Sequence, residues 1–267
     1  MIKMATKIGK TEKYINERLE EKGALLFMVV DPLDYDSVET AVNTGADAAD
    51  SGADLILVGG SLGAQGLLLD SVTKGIKDAS DVPVVLFPGN IATLSSHADA
   101  IYFMSMLNAR NPYWITQAQT AAAPTIRSMG IEPLPVGYIV VSPGGTVGWI
   151  GDTNLVPREK PKIAASLALA GQYLGNRFII TDTGSNPQLQ GQGPVPPEMI
   201  REVRKWTDVI YIVAGGIRTP EDARNCVKNG ADAVQVGTAI EKSRNAKAVT
   251  RLLADAVKEE GARRGKA

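Results

Sequence analysis

Residues 211–242 read YIVAGGIRTPEDARNCVKNGADAVQVGTAIEK. Two short apolar runs each end in a glycine-bearing turn, Gly215-Gly216 after the first and Gly237-Thr238 after the second. One helical segment, opened by Thr219-Pro220-Glu221, separates them. The same order of apolar run, polar turn and helical stretch repeats along the rest of the chain: ALLFMVVDP, DLILVGGS, PVVLFPGN, AIYFMSMLN, PVGYIVVSPGG and RFIITDTGS precede VIYIVAGG and AVQVGT, which makes eight candidate strands. Most are continuous hydrophobic runs without alternation, as strands covered on both faces are, and this points to a parallel sheet. Eight such units at this length favour a closed (β/α)8 barrel, with an open doubly wound sheet as the alternative.

Helical segments are expected over 36–51, 64–79, 113–129, 161–174, 196–206, 220–229 and 245–263, several opened by proline or a cap residue. The connection PGNIATLSSHAD, residues 88–99, is too short and too broken by turn residues for an ordinary covering helix. The third helix of the ring is therefore expected to be missing or replaced by a loop. No internal repeat or low-complexity linker divides the chain, so residues 1–267 are read as one barrel domain with an N-terminal helical extension.

With 267 residues, 44% of them hydrophobic, the chain can bury a full core. Lys and Arg number 28 against 29 Asp and Glu, and the basic residues are scattered, so no nucleic-acid footprint is present. Cys226 is the only cysteine, which excludes disulfides within the chain and Cys-based zinc sites. No apolar run approaches membrane-spanning length, and the N-terminal MIKMATKIGKTEKYINERLEEKG is charged and amphipathic. A soluble cytoplasmic protein is expected.

Polar and glycine residues gather just after the apolar runs, and in a barrel these positions meet at the C-terminal rim, where active sites of the fold are built. Turns after the last two strands form a recurring phosphate site: glycines let backbone N–H groups approach an oxyanion, and Thr238 lies where a short helix would begin. The bland alternative is a pair of ordinary turns that need positive φ. Asp31 ends the first strand and Ser61 follows the second; a rim carboxylate suits Mg²⁺ when substrate phosphates complete its octahedron. Asp31 also fits an Asp-Pro turn, and Asp34 or Asp36 fits a helix cap. Asp182 closes the sixth strand, either as a proton acceptor or as a cap on its own turn. His97, the only histidine, is read as a solvated loop residue. Tyr113-Trp114 is read as core packing or as an aromatic patch for a partner subunit.

The combination of DPLD, VGGS, LFPGN, FMSMLNARNPYW, YIVVSPGGTVGWIGD, DTGS, VPPEMI, AGGIRTPEDA and VGTAIEK resembles the archaeal geranylgeranylglyceryl phosphate synthases, in the larger group that carries the LNxRNP segment. The likeness runs from about Lys22 to about Arg263. It implies a modified (β/α)8 TIM barrel lacking the third helix, and a Mg²⁺-dependent prenyltransferase. Such an enzyme joins sn-glycerol 1-phosphate to geranylgeranyl diphosphate through an ether bond, releases diphosphate and delivers its product to the membrane. It also implies a homo-oligomer, a dimer or a hexamer, with Tyr113-Trp114 near a subunit contact. By motif, Asp31 and Ser61 match the Mg²⁺ positions, and Thr183-Gly184-Ser185, Gly215-Gly216 and Gly237-Thr238 match the turns around the glycerol phosphate. The chain departs from the family at two points: Asp182 stands where YLEAGSG has glutamate, and Ser142 where YIVVEPGGT has glutamate. Asp182 is the expected catalytic base. The competing functions are an isomerase or aldolase-like barrel for a small phosphorylated sugar and a non-catalytic phosphate-binding barrel.

Overall fold

The computed structural model describes residues 8–243 and 245–264. Eight parallel strands pair in sequence order, and the last pairs with the first: β1 (Leu25–Val30), β2 (Leu55–Val58), β3 (Val84–Leu86), β4 (Ala100–Met106), β5 (Glu132–Val140), β6 (Phe178–Asp182), β7 (Ile210–Ala214) and β8 (Ala233–Val236). Pairing of Leu25 with Ala233 through to Met28 with Val236 closes the sheet and rules out the open alternative. Successive residues explain the unbroken apolar runs. On β1, Leu25 and Phe27 point into the barrel with Leu55, Leu57, Tyr102, Tyr138 and Phe178. Leu26 and Met28 point outward with Ile56, Val58, Val213 and Val234 into the layer beneath the helices.

The helices are α1 (Lys10–Lys22), α2 (Val38–Asp50), α3 (Gly66–Ala79), α4 (Ala118–Met129), α5 (Gly145–Ile150), α6 (Pro161–Tyr173), α7 (Pro197–Trp206), α8 (Pro220–Lys228), α9 (Thr238–Glu241) and α10 (Ala246–Arg264). Helix α2 starts after Ser37, whose hydroxyl accepts the Thr40 N–H at 3.1 Å, so Ser37 and not Asp36 or Asp34 is its cap. A serine in extended conformation offers an acceptor at the right reach, and the helix begins behind it. Helix α8 opens with a reciprocal capping box between Thr219 and Asp222.

The N-terminal extension covers the lower mouth of the barrel. Ile15 of α1 is buried among Leu25, Phe27 and Leu134. The Glu132 carboxylate accepts the Thr11 and Glu12 N–H groups, and Glu12 forms a two-pronged ion pair with Arg177 at 2.5 and 2.7 Å. At the other end of β3 no helix forms: residues 87–99 are turns and bends, as expected from the sequence. That segment is nonetheless tied down, with the Asp99 carboxylate accepting the Val84 N–H at 2.9 Å and bonding Lys77. The gap it leaves is bounded by α4 and the π-helical turn Tyr113–Gln117.

Two segments of LNARNP and GWIGD clamp each other across the rim. The Asn108 amide, buried, accepts the Val140 N–H at 3.0 Å and donates to the Val140 and Asn154 carbonyls at 2.8 and 3.0 Å. Arg110 grips Asp152, at 2.7 Å from Nη2. These residues shape the loops beside the cavity without entering it.

Candidate active site

The C-terminal rim encloses a cavity of about 310 Å³, and the residues singled out in the sequence surround it: Asp31, Ser61, Asp182, Gly184, Ser185, Gly215, Gly216, Gly237 and Thr238 all line it. Thr183 does not. Its side chain is fully buried behind the turn, with Oγ1 close to where a Cβ on Gly215 would stand, so any contribution it makes to the cavity is through its backbone.

The glycine turns sit side by side because β6, β7 and β8 are neighbours in the barrel. Gly184, Gly215 and Gly216 have φ of 80, 81 and 73°. At Gly215 a side chain would strike Asp182, and at Gly216 it would strike Pro187 and Pro194, so the turns need both positive φ and empty space. The N–H groups of Gly216 and Thr238 have no protein acceptor among the described residues. They are the donors an oxyanion would take.

Next to the Gly237 turn, because β1 pairs with β8, Asp31, Asp34 and Glu241 bring three carboxylates to the wall. Asp31 divides its work between two oxygens. Oδ1 accepts the Leu33 N–H at 3.1 Å, the turn anticipated from Asp-Pro, while Oδ2 lies against Gly60, where any side chain would displace it. Burial raises the Asp31 pKa, and neighbouring Asp34 adds to the shift. Glu241 Oε1 accepts the Asp31 N–H at 3.2 Å. Among the described residues no three His, Cys, Asp or Glu side chains converge into a ready metal site. The donor chemistry at Asp31 and Ser61 still fits Mg²⁺, which is commonly held by one or two carboxylates and substrate phosphates rather than by an all-protein cage.

At the end of β6, against the Gly184 and Gly215 turns, lies Asp182. Oδ1 accepts the Gly184 N–H at 2.6 Å and Oδ2 accepts the Tyr138 hydroxyl. Burial raises the Asp182 pKa; the two hydrogen bonds oppose it. Tyr138 is itself buried inside the barrel, which lifts its own pKa well above the usual phenol value, so it serves as donor to the carboxylate.

Past Gly60, Ser61, Phe87 and Val147 the cavity meets a narrow apolar passage lined by Pro88, Met104, Met106 and Trp114. The passage continues into a groove between the helix-free segment (Ile91, Leu94) and α4 (Ala118, Ala122, Ile126). Trp114 thus faces the groove, and its ring meets Tyr113 edge-on at 4.9 Å. Ser142 is half-buried and stands outside this arrangement: its carbonyl accepts from Arg158 at 3.3 Å, and it does not line the cavity.

A family model described as the PcrB family matches residues 16–256. The chain belongs to the PcrB family. The geranylgeranylglyceryl phosphate synthase of Pyrococcus horikoshii is 51% identical over 239 residues, which span 90% of this chain and 92% of that protein. The protein of the same name from Thermococcus gammatolerans is 53% identical over 237 residues, 88% of this chain and 91% of its own. Among solved structures, (S)-3-O-geranylgeranylglyceryl phosphate synthase from Thermoplasma acidophilum, in complex with its substrate sn-glycerol-1-phosphate, superposes with a TM-score of 0.87. Its identity is 34%, over 95% of this chain and all (100%) of that one.

In this PcrB-family chain the sequence reading passed over Tyr138, Phe87, Gln188, Arg218 and Glu241, all of which line the cavity. Arg218 was readable as the basic residue of AGGIR; it bonds Asn186 and so joins the turns after β6 and β7. Glu241 carries a measurable consequence. Burial, with Asp34 and Asp31 adding to it, pushes its pKa up to about 7. A carboxyl raised in the fold contributes stability below its unfolded pKa and loses it as pH climbs through the folded value, so above pH 7 the fold bears a buried charge. Glu241→Gln should therefore stabilise the metal-free protein at pH 8 by on the order of 3 kcal/mol, and the gain should shrink as pH falls towards 4.5. Thermal denaturation across that range in chelator checks it; a gain independent of pH would refute the assignment.

Proposed function

We propose that the chain transfers a geranylgeranyl group from its diphosphate to the C3 hydroxyl of sn-glycerol 1-phosphate. The observation that carries this reading is continuity: one cavity holds an oxyanion corner, a carboxylate wall and a buried base, and opens through an apolar passage into the gap left by the absent helix. A barrel acting on a small phosphorylated sugar has no use for that groove. The names borne by relatives about half identical to this chain support the same reading.

Ser185, Gly215, Gly216, Gly237 and Thr238 receive the glycerol phosphate through backbone N–H groups, Gly184 shapes that turn while its own N–H is held by Asp182, and Asp31 and Ser61 would hold Mg²⁺. When bound, that ion neutralises charge on the departing diphosphate. Breaking the C1–O bond sends its electron pair to the diphosphate, and the C3 oxygen of glycerol supplies the pair for the new ether bond. Its proton passes to Asp182. The tail lies along Met104, Trp114 and Ala122. At about 0.8 kcal/mol per buried carbon, a twenty-carbon chain contributes on the order of 10 kcal/mol before ordering costs.

A chiral glycerol held at its phosphate presents one hydroxyl in line with the reacting carbon. With Mg²⁺ and a ladder of prenyl diphosphates, labelled sn-glycerol 1-phosphate should be converted at least tenfold faster than its 3-phosphate enantiomer. Equal rates for the two, or indifference to a long prenyl chain, would sink the proposal. Assembly into a homo-oligomer remains part of it, and light scattering at micromolar concentration tests that separately. Among the described residues no helix is long and apolar enough to cross a membrane.

A further inference from the structure

We propose that Phe87 is a catalytic residue whose ring stabilises the allylic cation as the C1–O bond breaks. The inference rests on the prenyl-transfer reading above and adds a role that the polar residues cannot fill. The diphosphate head belongs with Asp31 and Ser61, and the tail belongs in the groove, so the bond that breaks lies where cavity and passage join. Four residues line both: Gly60, Ser61, Phe87 and Val147. Phe87 is the only one of them with a π face.

Its position is tightly held. The Phe87 N–H donates to the Val58 carbonyl at 2.9 Å, which extends the β2–β3 ladder, and its own carbonyl packs where only a glycine fits, at Gly59 with φ of 135°. The ring meets Tyr102 edge-on, with centroids 5.7 Å apart at 74°, and lies tilted to Tyr138 at 6.1 Å and 45°. Both tyrosines are buried, and Phe87, itself half-buried, packs against their cluster while it lines the cavity. Tyr138 also bonds Asp182. Ring and base therefore share one anchor.

Chemistry favours a ring at this place. Heterolysis leaves positive charge spread over C1 and C3 of the allyl unit, with the electron pair on the diphosphate. A carboxylate against that carbon would form a covalent ester with it. An aromatic face attracts the cation through its quadrupole and forms no bond, and the effect is largest where water is excluded.

Graded fluorination separates this role from packing, because fluorine drains charge from the π face while nearly preserving size. Phenylalanine, monofluoro-, difluoro- and trifluorophenylalanine are placed at position 87 and single-turnover rates are measured with geranylgeranyl diphosphate, sn-glycerol 1-phosphate and Mg²⁺. The logarithm of the rate should fall steadily along the series, reaching about 30-fold for the trifluoro ring, while KM for both substrates and the melting temperature stay put. Phe87→Leu should lose a similar factor and Phe87→Trp should retain most of the rate. A flat fluorine series with active wild-type protein overturns the role of Phe87 alone. No ether product from wild-type protein overturns this inference and the prenyl-transfer reading together.

Discussion

Asp31→Asn should lower turnover about a thousandfold while the barrel melts at nearly the wild-type temperature. The reason lies in the division of labour between its two oxygens. Asparagine retains a carbonyl oxygen for the Leu33 N–H, which Oδ1 accepts at 3.1 Å, so the turn into the helical stretch Pro32–Asp34 survives. What disappears is the negative charge, which the oxygen lying against Gly60 shares with Oδ1. Burial already makes that charge costly, since it lifts the Asp31 pKa, and a neutral side chain relieves the fold. Stability is therefore expected to hold or rise as activity falls. A second readout removes any dependence on catalysis: Mg²⁺ together with inorganic pyrophosphate should raise the melting temperature of the wild-type protein and leave that of the variant unmoved. Equal stabilisation of both proteins, or full turnover by the variant at saturating Mg²⁺, would reduce Asp31 to a turn residue.

How much of this could be read from the sequence depends on the distance over which each interaction acts. Strands covered on both faces are apolar at every position, so all eight were visible as local runs, and the turns after them as local glycines. The absent helix was equally local, because residues 88–99 hold too many turn formers. The start of α2 moved from 36 to 38, since Ser37, Asp36 and Asp34 are all competent caps and only the observed backbone chooses among them. Partnerships made by barrel closure left no local trace. Glu241 meets Asp31 across 210 positions because β8 lies beside β1, and Tyr138 meets Asp182 across 44 because β5 lies beside β6. Asn108 illustrates a different gap: the LNxRNP segment was distinctive enough to mark a family, but its physical task, completing the hydrogen bonds of Val140 and Asn154, appears only in three dimensions.

Asp182→Asn should reduce turnover by roughly 10² to 10⁴ and change glycerol phosphate affinity little. The sequence left Asp182 poised between base and turn cap, and its geometry serves both. Asparagine preserves the cap, because its oxygen still accepts the Gly184 N–H, and its amide can donate to the Tyr138 oxygen in place of receiving from it. Packing is kept and only basicity is lost. The wild-type carboxylate, raised in pKa by burial yet steadied by two donors, is suited to take a proton as the glycerol oxygen attacks and to return it to solvent afterwards. Lengthening the chain tests the fit. Both Asp182 oxygens are already bonded at fixed reach, so Asp182→Glu has to push its carboxylate away from the Gly184 N–H or from Tyr138, and it should be slower than wild type. Tyr138→Phe removes one donor and leaves the carboxylate in place, so the acid limb of the pH–rate profile should move to higher pH. If Asp182→Asn keeps most of its turnover and melts earlier, the residue is a cap, and the proton must leave by another group on the rim.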